Sequence, residues 1–168
     1  MNLVLIGMMG CGKSTCGQLL AQRLGRELVD MDTVIQQREG RSISDIFATQ
    51  GEDYFRDLET ALAQELSQQD GLVISTGGGV ILRPENVEAL RKNSMVVWLN
   101  RSAEHIFDCV ALDDRPLAQD GKTAFLERFA QRESKYRVAA HIIVEDFSSP
   151  NATVDSILSH WDSYSKKP

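Results

Sequence analysis

Residues 7–14 read Gly-Met-Met-Gly-Cys-Gly-Lys-Ser, which is the spacing of a glycine-rich phosphate-binding loop. The apolar run 3–6 before it predicts a short buried strand, and the helical periodicity from Lys13 onward predicts a helix that ends at Gly25. A strand, a glycine turn and a helix in this order point a row of backbone N–H groups at an anion. The stretch therefore predicts an α/β protein that binds a nucleoside triphosphate, and the matching flanks argue against a chance match.

Each part of this loop has an expected role in holding the nucleotide. Gly7 and Gly12 permit backbone torsions that a side chain would resist. Lys13, expected as an exposed side chain, should reach the β- and γ-phosphates, and the Ser14 hydroxyl should ligate Mg²⁺. The residues predicted to contact the nucleotide are Gly10, Cys11, Gly12, Lys13, Ser14 and Thr15.

The composition is that of one soluble globular domain. The chain has 168 residues, of which 42% are hydrophobic and 25% are charged, enough for one core and too few for two. Its formal net charge of -6 argues against a nucleic-acid-binding surface, which is normally basic. We expect no signal peptide and no membrane span, and the cysteine spacing fits reduced thiols rather than a metal site, so a cytoplasmic protein is predicted.

The rest of the chain alternates between strand and helix patterns. Strands are predicted at residues 3–6, 27–30, 72–75, 95–99 and 141–144. Helices are predicted at residues 13–24, 33–39, 44–50, 52–67, 84–91, 103–111, 123–138 and 150–161, with Ser44 as a candidate cap. Short apolar strands separated by helices predict a parallel sheet that is covered by helices on both faces.

Polar residues follow three of these strands at the point where each strand ends. In a parallel α/β sheet, ligands bind outside the carboxyl ends of the strands. Asp30 and Asp32 end the second strand, so one could hold Mg²⁺ while the other faces a substrate hydroxyl; the alternative is a solvated turn with a helix cap. The triple glycine 77–79 after the third strand predicts close approach of a ligand to the backbone, because three glycines carry a large entropic cost.

Six segments, taken in their order and spacing, resemble the shikimate kinases: residues 7–15, 29–32, 51–59, 75–79, 114–117 and 132–139. The resemblance implies the nucleoside-monophosphate-kinase type of fold, a five-stranded parallel sheet in the order 2-3-1-4-5. It also implies transfer of the γ-phosphate of ATP, with Mg²⁺, to the 3-hydroxyl of shikimate on the route to aromatic amino acids. We expect a monomer with a single domain over residues 1–168, a shikimate-binding segment at about 32–60 and a lid loop at about 112–122.

The resemblance also assigns roles to individual residues. The catalytic set would be Lys13, Asp32 and the lid residue Arg115, which also contacts the nucleotide; Ser14 and Asp30 would lie on the magnesium side. The shikimate-binding residues would be Asp32, Arg56, Gly77, Gly78, Gly79 and Arg132. Arg56 and Arg132 would grip the carboxylate, since a guanidinium offers the paired donors that a lysine lacks, and Glu59 would orient Arg56.

Two departures from the family pattern and two other functions stay open. Residues 107–112 lack the arginine that usually lies on the adenine side, so residues 147–151 are candidates to replace that contact, and Leu117-Ala118 replaces the usual leucine pair. One alternative is a gluconate-type kinase of the same fold. The other is a nucleotide-dependent switch, although the sequence has no Asn-Lys-x-Asp base reader.

Overall fold

The computed structural model describes residues 1–111 and 121–166 of the chain. Within them lies a five-stranded sheet in the order β2-β3-β1-β4-β5, in which every pair of neighbours is parallel. The strands are β1 (Asn2–Ile6), β2 (Glu27–Asp30), β3 (Leu72–Ser75), β4 (Ser94–Leu99) and β5 (Ile142–Val144). The predicted fold class and strand order are confirmed.

The helices connect and cover these strands. In the described part of the chain they are α1 (Lys13–Leu24), α2 (Met31–Glu39), α3 (Ile43–Gln50), α4 (Glu52–Leu66), α5 (Pro84–Lys92), α6 (Ala103–Ala111), α7 (Gly121–Ala139) and α8 (Pro150–Tyr164). A short 3-10 turn, Val80–Leu82, precedes α5. No helix in residues 1–111 and 121–166 is both long and apolar enough to cross a membrane.

The cap expected at Ser44 is wrong, because Ser42 caps α3. The Ser42 hydroxyl accepts from the Asp45 N–H at 3.1 Å, and the Asp45 carboxylate accepts from the Ser42 N–H at 3.4 Å. This reciprocal capping box needs an acidic residue three positions after the cap, and only Ser42 has one there. The predicted end of α1 at Gly25 is confirmed, since Gly25 is left-handed with a φ of 61°.

The buried centre of the sheet brings the polar strand ends together. All residues of β1 and β4 are buried, as expected for strands that are covered on both faces. Asp30 pairs with Ser75, and the Thr76 N–H and hydroxyl both donate to the Leu5 carbonyl, at 3.2 and 2.9 Å. The glycine segment after β3 is therefore tied to β1 just before the phosphate loop.

Candidate active site

The phosphate loop connects β1 to α1 through left-handed glycines. Gly7 has a φ of 148°, and a Cβ there would lie 2.9 Å from the Leu99 carbonyl oxygen and 2.8 Å from the Cys11 sulfur. Gly12, with a φ of 104°, directly precedes the first turn of α1. Both positions therefore need glycine. The loop places the N-terminus of α1 at the carboxyl end of the central strand β1.

Lys13 is buried rather than exposed, which corrects the expectation from sequence. Its side chain folds back onto the loop, and its ammonium group donates to the carbonyls of Gly7 and Met8 at 2.8 and 2.9 Å. A buried cation needs such partners, because burial removes the water that would otherwise solvate its charge. The loop thus holds its own lysine in place through backbone carbonyls.

A cleft of about 450 Å³ opens at this loop. It brings together eight of the predicted site residues with five others: Gly10, Gly12, Lys13, Ser14, Thr15, Asp30, Asp32 and Gly78, together with Met9, Thr33, Ser75, Thr76 and Cys109. The Cys11 side chain is buried beside Gly7, and its backbone N–H donates to the Met8 carbonyl at 3.2 Å. Cys11 therefore shapes the loop from inside.

Asp30 serves two neighbours at once. One carboxylate oxygen accepts from the Thr33 N–H at 3.1 Å and so caps α2, and the other accepts from the Ser14 hydroxyl at 3.4 Å. The helix-cap alternative considered from the sequence is thus correct for one oxygen and leaves the other facing the loop. A hydroxyl and a carboxylate oxygen are hard donors of the kind that Mg²⁺ prefers.

Ser14 and Asp30 fit a magnesium ion whose other ligands are phosphate oxygens and water. In residues 1–111 and 121–166, no group of three or more His, Cys, Asp or Glu side chains converges as a metal site. Magnesium in kinases is typically bound through one or two protein oxygens plus phosphates and water, so the Ser14–Asp30 pair suffices.

Asp32 faces the cleft in a partly buried position. Burial raises the pKa of its carboxyl group, and the nearby Asp30 raises it further, while Lys13 and Arg56 act in the opposite direction. The carboxylate therefore binds a proton more readily than a free aspartate does. It lies in the first turn of α2, between the phosphate loop and the arginine on α4.

Arg56 on α4 is held by two carboxylates of its own helix. Glu59, whose side chain is 1% exposed, accepts from one terminal nitrogen, and Glu52 accepts from Nε at 3.2 Å and from Nη2 at 2.9 Å. Burial opposes the charge on the Arg56 guanidinium, yet Glu59 and Glu52 outweigh burial and raise its pKa. Burial also raises the pKa of Glu59, which Arg56 counteracts, so we regard the pair as ionised.

Arg132 and Tyr136 approach from α7, four residues apart on one face. The Arg132 guanidinium donates to the Gly78 carbonyl at 3.3 Å, and the Tyr136 hydroxyl donates to the same oxygen. Burial lowers the pKa of Arg132, and the positive charge of Arg56 lowers it further. Arg56 is paired with Glu52 and Glu59, whereas the Arg132 guanidinium has a backbone carbonyl as its partner, so a bound anion would favour the charged form of Arg132.

The triple glycine has a different explanation from the one expected. A Cβ at Gly79 would lie 2.2 Å from Arg56 Nη1, and one at Gly77 would lie 2.8 Å from both the Asp32 and the Glu59 carboxylates. The site's own side chains, rather than a ligand alone, therefore exclude side chains at these positions. The one buried oxygen of Glu59 that lacks a hydrogen bond, Oε1, lies beside Gly77.

Sequence reasoning gave no role to Glu52, Tyr136 and Cys109. The four-residue spacings of Glu52 to Arg56 and of Arg132 to Tyr136 are visible in the sequence, since such pairs share a helix face. Cys109 lines the phosphate cleft from α6, which only the fold reveals.

The lid residue Arg115 lies outside the described residues. Next to that stretch, the Lys122 ammonium is 3.3 Å from the Asp108 carboxylate, so a cation does lie beside the segment that lacks the usual arginine. At the start of the candidate segment 147–151, Arg101 stacks on Phe147, with 5.4 Å from its guanidinium carbon to the ring centre.

Comparison with known proteins identifies the family. The family model "Shikimate kinase" matches residues 9–162. A shikimate kinase from a Sulfurihydrogenibium species is 40% identical, over 94% of this chain and 95% of its own length. The solved structure of shikimate kinase from Acinetobacter baumannii in complex with shikimate aligns with a TM-score of 0.90 at 35% identity, covering 99% of this chain and 95% of that one.

The gluconate-kinase alternative shares only the fold. A gluconokinase from Sinorhizobium meliloti aligns with a TM-score of 0.57 at 13% identity, over 99% of this chain and 97% of that one. The resemblance that the six sequence segments indicated is confirmed, and so is the predicted class of enzyme. The chain belongs to the shikimate kinase family, the enzymes that use ATP to phosphorylate shikimate.

Proposed function

We propose that the chain transfers the γ-phosphate of ATP to the 3-hydroxyl of shikimate by holding each substrate in its own half of one crevice. The observation that carries the residue assignment is that the guanidinium groups of Arg56 and Arg132 both reach the 77–79 glycines. Asp32 lies near Arg56 and lines the cleft at the phosphate loop. Two guanidinium groups from different helices suit one carboxylate, and the adjacent Asp32 suits a hydroxyl of the same small molecule.

On the nucleotide side, residues 10–15 hold the phosphates. Lys13 exchanges the carbonyls of Gly7 and Met8 for phosphate oxygens when ATP enters, so the ammonium needs little movement. Ser14 and Asp30 would hold Mg²⁺, which neutralises charge on the phosphates when bound. Main-chain donors at the start of α1 then complete the anion site.

On the acid side, Arg56 and Arg132 bind the shikimate carboxylate, and the 77–79 backbone forms the floor beneath it. Asp32 accepts a hydrogen bond from the attacking hydroxyl and receives its proton. Phosphoryl transfer has a loose transition state, so orientation of this hydroxyl is the larger part of the role. A raised pKa brings the carboxyl closer to working pH and improves it as a base.

The remaining assignments complete the proposal. Arg115, in the lid at about 112–122, closes onto the phosphates and stabilises the charge that develops there. We further propose one domain over residues 1–168, with residues 32–60 as the shikimate-binding segment. The protein would act as a cytoplasmic monomer without nucleic-acid or membrane partners, in line with its net charge of -6.

One assay tests the proposed function directly. ADP release is measured with ATP and Mg²⁺ in the presence of shikimate, gluconate or nucleoside monophosphates, each as the sole acceptor. We expect turnover with shikimate alone and transfer to its 3-hydroxyl in the product. Preferred turnover of gluconate or of a nucleotide, or ADP release that does not depend on any acceptor, would refute the proposal.

A further inference from the structure

The guanidinium of Arg56 is held from two sides that differ in burial. Glu59 contacts one terminal nitrogen from the protein interior, and its side chain is 1% exposed. Glu52 contacts the opposite edge, where one carboxylate oxygen accepts from both Nε and Nη2, and its side chain is 56% exposed. That edge presents two parallel N–H donors, which is the geometry that a ligand carboxylate needs.

The contact with Glu52 is weak enough to be exchanged. The two residues lie four apart on a helix, and although the Arg56 side chain is only 11% exposed, the Glu52 side chain is 56% exposed. Solvent reaches the Glu52 carboxylate and screens the pair from that side, so its contribution to stability is small. A displaced Glu52 also keeps a favourable place, since it lies in the first turn of α4, where the helix dipole favours a negative charge. The Glu59 carboxylate, in contrast, is buried, so water cannot replace Arg56 as its partner.

We propose that Glu52 is a built-in competitor for the substrate carboxylate. In the empty enzyme it covers the donor edge of Arg56, and the acid displaces it on binding. The inference rests on the proposed function, because it requires Arg56 to receive that carboxylate. Its consequence is selectivity: a simple anion that gains only the Arg56 contact competes poorly with Glu52. An acid that also engages Arg132 and Asp32 displaces it.

The experiment compares Glu52→Gln with Asp53→Asn. Asp53 is exposed in the same first turn of α4, so its variant makes the same charge change without a contact to Arg56. In the wild type, only those molecules whose Arg56 is not covered by Glu52 can bind the acid, so the apparent Kd is the intrinsic Kd divided by that fraction. Removal of a weak competitor should therefore lower the shikimate KM and Kd about two- to fivefold in Glu52→Gln. The KM for ATP should not change. Inhibition by acetate against shikimate should strengthen in Glu52→Gln only.

A shikimate KM or Kd that rises in Glu52→Gln would mean that Glu52 positions Arg56, and the proposal would fall. Equal changes in Asp53→Asn would reduce the effect to general charge and would equally overturn it. A readout without turnover separates this inference from the proposed function: the rate at which phenylglyoxal modifies Arg56, followed by mass spectrometry. Faster modification in Glu52→Gln than in wild type and Asp53→Asn supports the competitor even if shikimate is not the substrate. An unchanged rate refutes it.

Discussion

The phosphate loop and the arginine site lie in one crevice but are built in opposite ways. The loop is continuous in sequence, and its chemistry comes from backbone groups and one lysine between β1 and α1. The arginine site takes side chains from α2, α4 and α7 and packs them on the glycines after β3. One half is therefore local and the other exists only in the folded protein.

The two halves also differ in the groups that contact their cations when no ligand is bound. In the loop, the Lys13 ammonium donates to neutral backbone carbonyls, so a bound phosphate would replace contacts with dipoles rather than with charges. In the arginine site, Arg56 is held by the two carboxylates of Glu52 and Glu59, so its charge is already compensated. If the proposed roles are correct, the loop binds an anion without displacing a charged group, whereas the arginine site binds only an acid that displaces Glu52. Variants in the two halves should therefore have different effects.

The largest effect is expected in the loop, from Lys13→Met. Loss of the ammonium should lower kcat by about 100- to 1,000-fold, the range for removing one preorganised donor at developing charge. Because the buried side chain also satisfies two carbonyls, the free energy of unfolding should fall by about 1–3 kcal/mol. Turnover is followed by ADP release and stability by urea unfolding.

Shikimate binding provides the control for Lys13→Met, since the arginine site lies in the other half of the crevice. Calorimetric titration of shikimate without nucleotide should give the wild-type affinity. Activity above a few per cent of wild type would exclude the phosphate role of Lys13, and an undiminished unfolding free energy would exclude its role in satisfying the loop carbonyls.

The next effect is expected in the arginine site, where Arg56→Ala and Arg132→Ala should differ. Either change should weaken shikimate binding by about 1.5–3 kcal/mol, the range for charged hydrogen bonds, with ATP affinity nearly unchanged. Only Arg56→Ala leaves a buried carboxylate, Glu59, without its partner, so it alone should also cost about 3–5 kcal/mol of stability. Calorimetry and chemical unfolding measure the two effects.

The double variant Arg56→Ala/Glu59→Ala tests the cause of that instability, because it removes the orphaned charge together with its partner. We expect it to recover part of the stability but none of the shikimate affinity. Equal instability of Arg56→Ala and Arg132→Ala would show that Glu59 does not need Arg56. A fall in ATP affinity with unchanged shikimate affinity would remove both arginines from the acid site.

A smaller effect is expected from Gly79→Ala, which places a methyl group against Arg56 rather than removing a charge. The new Cβ would lie 2.2 Å from Arg56 Nη1, so the guanidinium must shift, and kcat/KM for shikimate should fall about tenfold. Gly78→Ala gives a contrasting clash, since its new Cβ would lie 3.2 Å from the Met9 backbone nitrogen in the phosphate loop, and its effect should fall on the KM for ATP. If both variants behave alike in steady-state kinetics, the clash with Arg56 is not what requires glycine at position 79.

The sequence predicts the phosphate loop better than it predicts the contacts within the arginine site. The loop and most helix bounds could be predicted, because each depends on a local pattern around residues such as Gly7 and Lys13. The strand order is not local, and it could be predicted only through the resemblance to the shikimate kinases. The buried state of Lys13 could not, since it depends on where the side chain folds. The double clamp on Arg56 and the contacts behind the 77–79 glycines depend on side chains from distant helices, so only the fold reveals why those glycines are needed.

The smallest effect is expected on stability, from Asp32→Asn, which tests whether the site holds its carboxylate at a cost in folding free energy. Burial raises the pKa of Asp32, so the folded state binds the proton more tightly than the unfolded state. Stability then falls as pH rises through the window between the ordinary pKa, about 3.9, and the raised one.

The amide that replaces the carboxyl group in Asp32→Asn carries no such charge. The variant should therefore be more stable than wild type at neutral pH, with a gain that vanishes as the pH falls towards about 3.9. Urea unfolding at a series of pH values measures this gain, and Asp53→Asn, at an exposed position, controls for the loss of one surface charge. A gain that is equal at every pH would assign the effect to packing. A loss of stability at neutral pH would mean that the attraction of Lys13 and Arg56 outweighs burial, and that the site holds Asp32 ionised without strain.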